Sequence, residues 1–137
     1  VAPKAVMTEF RKVHQYNVFC VNHPLQYALS QILDEPKHYL ELSDFYQEKR
    51  NRFLDLVKNS RFKFTPSQGT YFQLADYSDI SDLPDTEFCL ELIQNHGLAA
   101  IPVSVFNKDN LQQGCIRFCF AKTDETLQEA SEVMNKI

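Results

Sequence analysis

The chain has 137 residues, 44% hydrophobic and 23% charged, with 14 Lys and Arg against 18 Asp and Glu and a formal net charge of −4. That is enough for one ordinary globular domain, or for a small domain with an attached piece of another. The acidic balance and the scarcity of basic runs argue against a nucleic-acid surface, and neither a membrane-spanning apolar run nor a signal-peptide pattern is present.

The first residues, Val1-Ala2-Pro3-Lys4, read like the middle of a longer polypeptide. Pro3 suits the first position of a helix, and Val6, Phe10 and Val13 recur at helical spacing through His14. Asn17 to His23 interrupts this pattern. Pro24 then opens a second helix, with Leu25, Ala28, Leu29 and Ile32 on one side. Asp34-Glu35-Pro36 has helix-start chemistry, an acid at the cap and a proline in the first turn. A long third helix is therefore expected from Pro36 to Asn59, with Leu42, Phe45, Tyr46, Phe53, Leu56 and Val57 in one stripe. Its charged face reads as solvated surface.

After residue 60 the character changes. Phe62-Lys63-Phe64 and Thr70-Tyr71-Phe72-Gln73-Leu74 predict strands joined through Pro66-Ser67-Gln68-Gly69. Ser78 to Asp85 is a polar loop with Asp82 and Asp85 as candidate caps for a helix that carries Phe88, Cys89, Leu92 and Ile93 and stops at Gly97. Leu98 to Phe106 is extended and apolar, with Pro102 marking an edge or bent strand. A polar connection from Asn107 to Gly114 leads into a last strand, and Thr123 caps a final helix bearing Leu127, Ala130, Met134 and Ile137. The expected fold class is α+β: an all-helical segment, then a small β-β-α-β-β-α sheet with its helices on one face.

Cys20, Cys89, Cys115 and Cys119 stand in apolar settings without the CxxC spacing of a metal site. Cys115 and Cys119 are about 13 Å apart along a strand, too far for a disulfide. His14, His23, His38 and His96 are scattered singly, so no metal is expected. Reduced core thiols suit a cytoplasmic protein.

The most informative stretch is Cys115-Ile116-Arg117-Phe118-Cys119-Phe120. Alternation puts Ile116, Phe118 and Phe120 on one face and Cys115, Arg117 and Cys119 on the other. One guanidinium between two small thiols, on a rigid strand, suits bidentate binding of a carboxylate or phosphate. The plain alternative is a solvent-face arginine or half of a structural ion pair.

Four collinear segments carry a resemblance. They are residues 14–26 (His-Gln-Tyr-Asn-Val-Phe-Cys-Val-Asn-His-Pro-Leu-Gln), Gly69-Thr70-Tyr71-Phe72, residues 97–106 (Gly-Leu-Ala-Ala-Ile-Pro-Val-Ser-Val-Phe) and Ile116 to Lys122. Together they resemble the C-terminal third of class I/II, fold-type-I pyridoxal-phosphate aminotransferases, nearest the methionine and kynurenine/glutamine branch. The resemblance implies that residues 1–60 are the helical end of the large cofactor domain with its linker helix, and that 61–137 are the small C-terminal domain. It implies that Arg117 binds the substrate α-carboxylate. It also implies that Phe19 reaches toward the partner subunit's pocket as an apolar wall; a buried helix-end aromatic is the other reading of Phe19. Gly69-Thr70-Tyr71-Phe72 reads as a structural turn entering a strand.

The implied reaction moves an amino group between a methionine-like, aromatic or glutamine-like amino acid and a 2-oxo acid, with pyridoxal phosphate in a homodimeric parent. A C–S β-lyase of the same fold and a stand-alone small-carboxylate-binding regulatory module are the alternatives. The Schiff-base lysine would lie upstream of Val1, so the isolated chain is expected to be inactive, to hold no cofactor and to supply no catalytic residue. Ser60-Arg61-Phe62-Lys63 spells the lysine motif only by accident, where a helix hands over to a strand and without the glycine context.

Overall fold

Periodic apolar residues broken by proline produce three helices before residue 41: α1 Lys4–Asn17, α2 His23–Leu33 and α3 Lys37–Leu40. The computed structural model describes residues 1–18 and 20–137, and separates them into two compact units, Val1–Glu41 and Leu42–Ile137. In the first unit, Asn22 caps α2 by accepting the Leu25 N–H at 3.1 Å, with Pro24 in the first turn. None of its described residues is buried, and Val6, Phe10, Val13, Leu25, Leu29 and Ile32 are all exposed.

The long third helix expected from Pro36 to Asn59 is instead two. The ladder weakens where Glu41 N–H reaches Lys37 O at 3.4 Å, and α4 starts afresh at Leu42–Leu56 with Asp44 in its first turn. The Ser43-Asp44 pair is helix-start chemistry, which favours a new N-terminus over continuation.

In the second unit, β1 Lys63–Phe64, β2 Phe72–Asp76, β3 Ile101–Pro102 and β4 Cys115–Cys119 form a sheet of order β1-β2-β4-β3, antiparallel throughout. With α5 Asp85–His96 and α6 Asp124–Met134, the chain after residue 60 runs β-β-α-β-β-α. Ile116, Phe118 and Phe120 are buried with Phe53 and Val57, Phe62, Phe88, Leu92, Leu127 and Met134 in one core. Phe53 and Val57 belong to this core, so the compact unit starts before the first strand. Phe45 and Leu42, expected in the same stripe, are exposed.

Three local expectations are revised. β2 starts at Phe72 rather than Thr70, because Thr70 sits at φ +67°, a left-handed conformation incompatible with a strand. Of Leu98–Phe106 only Ile101 and Pro102 pair, on the sheet edge, and Ser104–Phe106 coil into a short 3-10 turn. Pro84 precedes α5 and no side chain caps it; Asp85 lies inside its first turn, with its carboxylate committed to Ser104. Thr123 does cap α6, accepting the Thr126 N–H at 3.3 Å. No helix among the described residues is long and apolar enough to cross a membrane.

Gly97 ends α5 at φ +65°, with its N–H on Ile93 O and the Leu98 N–H on Leu92 O. A Cβ there would meet nothing within 4 Å, so the penalty for a side chain is purely conformational. Gly97→Ala is expected to destabilise by about 1–2 kcal/mol. The check is a urea titration, in which the midpoint falls at unchanged slope.

Candidate functional site

The register decides which side chains share the outer face of the sheet. β2 places Phe72 opposite Cys119, Leu74 opposite Arg117 and Asp76 opposite Cys115, while β3 places Ile101 opposite Arg117. Directly paired residues point to the same side. Arg117 therefore stands half-buried in the middle of the sheet, flanked by the exposed Leu74 and Ile101.

Two aromatic rings hold its guanidinium. The Arg117 Cζ lies 4.4 Å from the centroid of Phe72 and 5.5 Å from that of Phe106. Such contacts orient a guanidinium through the ring quadrupole and leave its N–H donors available. The other arginines of this unit are partnered. Arg50 donates to Ser67 O and Asn51 Oδ1, Arg52 pairs with Asp124 at 2.9 Å, and Arg61 donates to Ile137 O and Asp79 O. Among the described residues no carboxylate or carbonyl bonds to Arg117. A half-buried fork with available donors on the outer sheet face has the chemistry to accept a planar anion.

The loop that brings Phe106 to Arg117 is anchored by a buried pair. Asp85 is 1% exposed and Ser104 2%. The Asp85 carboxylate accepts the Ser104 N–H at 2.7 Å and the Ser104 Oγ–H at 2.6 Å. Burial pushes this carboxyl upward, but the Ser104 hydroxyl and N–H, with Gln112 and the Val103 backbone, outweigh it and hold it below the usual carboxylate value. Gln73, also buried, accepts the Ser67 N–H and donates to Thr65 O, which fixes the turn ahead of Phe72.

A groove of about 420 Å³ between α4 and the Ser67–Tyr71 turn is lined by Tyr46, Arg50, Thr70 and Phe120. Arg117 lies outside it, and each Arg50 nitrogen there already donates to Ser67 O or Asn51 Oδ1. Phe19, the second site residue expected from the sequence, lies outside the described residues. The cysteines are free. Cys89 is buried, and burial pushes its thiol up to about 11, whereas Cys20 and Cys119 are exposed rather than in apolar surroundings.

Sequence reasoning singled out Arg117 but not the rings beside it. Phe72 falls in a segment that reads as a structural turn and Phe106 in one that reads as a strand. The alternation signal was available for Phe72, since it falls on the Arg117 face once β2 is paired. Asp85 reads as a helix cap, and nothing local to it in the sequence indicates Ser104.

The chain matches the family described as aminotransferase class I and II over residues 1–134. It is 49% identical to the methionine aminotransferase of Escherichia coli across its whole length, which is 36% of that protein. It is 33% identical to kynurenine–oxoglutarate transaminase 3 of Bos taurus, covering 98% of the chain and 34% of that protein. A solved Escherichia coli structure described as having a methionine aminotransferase function superposes over all of the chain with a TM-score of 0.92 at 49% identity, covering 36% of that structure. The chain thus spans about a third of the length of the curated relatives it matches. With a model match over nearly its full length, the chain belongs to the aminotransferase class I and II family.

Proposed function

We propose that this chain is the C-terminal part of a pyridoxal-phosphate-dependent aminotransferase, and that its contribution to the reaction is to grip the substrate by its α-carboxylate through Arg117. The observation that carries this is the available, ring-held guanidinium in the centre of the outer sheet face. Two parallel N–H donors meeting a carboxylate fix the position and rotation of an amino acid, which lowers the entropic part of the barrier. Phe72, Phe106, Leu74 and Ile101 around it give the guanidinium an apolar surround, which strengthens an ion pair once the rest of the parent covers that face. The same apolar ring favours a methionine-like or aromatic side chain, and the identity to methionine and kynurenine transaminases supports that range; a glutamine-like donor stays in it on the sequence resemblance.

In this reading the chain does not itself hold the cofactor: the cofactor and the proton-transferring lysine come from the rest of the parent, and the isolated chain is inactive. In the parent, residues 1–60 close the large domain and carry the linker, and 61–137 form the small domain; α4 moves with the latter, because Phe53 and Val57 lie in its core. The exposed apolar faces of α1 and α2 suit burial against that large domain and a second subunit, with Phe19 facing the partner's pocket in a cytoplasmic homodimer.

The test is an amino-transfer assay of the full-length protein loaded with pyridoxal phosphate. Methionine, aromatic amino acids and glutamine serve as donors to several 2-oxo acids. Turnover with methionine or an aromatic donor is expected, with none from the 137-residue chain. A folded, cofactor-loaded protein that transfers no amino group from any donor would overturn the reading, as would turnover by the isolated chain.

A further inference from the structure

The geometry points to Asp85 as a positioning residue of the substrate site: its buried carboxylate clamps Ser104 and thereby holds Phe106 against the Arg117 guanidinium. The inference rests on the reading of Arg117 given above and adds to it a control point in α5, remote in sequence from β4.

The segment after β3 has little else to hold it. Beyond Pro102 it pairs with no strand, and Val105, Phe106 and Leu111 are exposed, Phe106 at 67%. Ser104 is its one fully buried residue, and the partner of both Ser104 donors is Asp85. The other end of the loop returns to the same residue, for the Asp85 N–H donates to Gln112 Oε1 at 3.1 Å. One residue thus ties down both ends of the stretch 104–112. Between Ser104 and Phe106 the chain is a short 3-10 turn, closed by Phe106 N–H on Val103 O and Asn107 N–H on Ser104 O. A turn of that kind transmits the position of Ser104 directly to the ring two residues later.

The chemistry of the clamp argues for a positional role. Among the described residues no lysine or arginine pairs with Asp85, so a carboxylate is buried on hydrogen bonds alone. Burial of that kind carries a desolvation penalty that an apolar residue of similar volume would avoid. What an apolar residue could not do is accept two donors from Ser104 and dictate where the turn lies. Relaxing the clamp lets Phe106 swing off the guanidinium, which then samples rotamers unsuited to a bidentate carboxylate.

The experiment is a double-mutant cycle in the full-length, cofactor-loaded protein, with a spectroscopic readout that does not depend on turnover. Asp85→Asn is expected to raise KM for the amino donor about tenfold while kcat changes less than about threefold, because ground-state gripping is what is lost. In a Phe106→Ala background the same substitution is expected to add no more than about twofold, since both act through one ring. Ser104→Ala keeps the N–H bond to Asp85, so it should fold even if Asp85→Asn does not, and it should shift KM in the same direction. In parallel, the Arg117 Nε–Hε resonance, displaced by the nearby rings, should move in Asp85→Asn and Ser104→Ala toward its position in Phe106→Ala. Additive effects in the cycle, or an Arg117 resonance that stays put in both variants, would overturn the clamp. Should Arg117→Gln leave KM unchanged while the resonance still moves in the clamp variants, the carboxylate reading falls and the clamp stands.

Discussion

Replacing Arg117 with glutamine in the full-length protein is expected to lower kcat/KM for the amino donor by about a thousandfold. The loss has two parts. A charge-assisted, two-point contact to the carboxylate disappears, and the carboxylate is left in an apolar surround without its counter-charge. Truncating one partner of such a pair costs about 2–5 kcal/mol, or roughly 30- to 4000-fold in kcat/KM. The surround here is Phe72, Phe106, Leu74 and Ile101, which places the effect toward the upper end. Arg117→Lys restores the charge but not the planar fork, and is expected to recover only about tenfold of the loss. Steady-state kinetics against one donor decide the matter. A change below threefold in Arg117→Gln, with the fold intact, would return Arg117 to the status of a surface residue.

The largest expected effect on stability is at Phe53. It is 2% exposed, packs edge-on against Phe64 at 5.9 Å between ring centroids, and comes from α4 rather than from the strands it supports. Phe53→Ala is expected to destabilise the second unit by about 3–5 kcal/mol through lost burial and the cavity left behind. That is a large fraction of the ~5–15 kcal/mol that holds an ordinary domain together. Phe10→Ala, at a position 56% exposed in the first unit, is expected to change stability by less than about 0.5 kcal/mol in the 137-residue chain. Equilibrium unfolding in urea, followed by circular dichroism, distinguishes the two. Similar effects would mean that α4 does not belong to the core of the sheet unit.

Both results depend on features that differ in how far the sequence exposes them. Alternation alone assigns Ile116, Phe118 and Phe120 to the buried face and Arg117 to the open one, because side chains along a strand can only alternate. Gly97 as a left-handed stop and Thr123 as a cap are legible for the same reason: each acts on backbone groups within a few residues of itself. The order β-β-α-β-β-α and the family likewise follow from signals strung along the chain, the periodicities in one case and four collinear segments in the other.

Other features required partners distant in sequence. Arg50, Arg52, Arg61 and Arg117 are equivalent as letters; only the fold gives the first three their acceptors and sets two aromatic rings beside the fourth. The sequence reads Pro36 to Asn59 as one helix; the fresh start at Leu42, and that α4 packs with the sheet through Phe53 and Val57, emerge only from the fold. Asp85 is an ordinary first-turn acid until the loop after β3 folds back and buries Ser104 against it, 19 residues away. The sequence by itself therefore determined the order of strands and helices after residue 60, the core face of the last strand and the family, since those depend on local periodicity and backbone chemistry. The tertiary structure alone decided which guanidinium keeps its donors and what holds the ring beside it, because hydrogen bonds and ring contacts are set by which strands and loops come together.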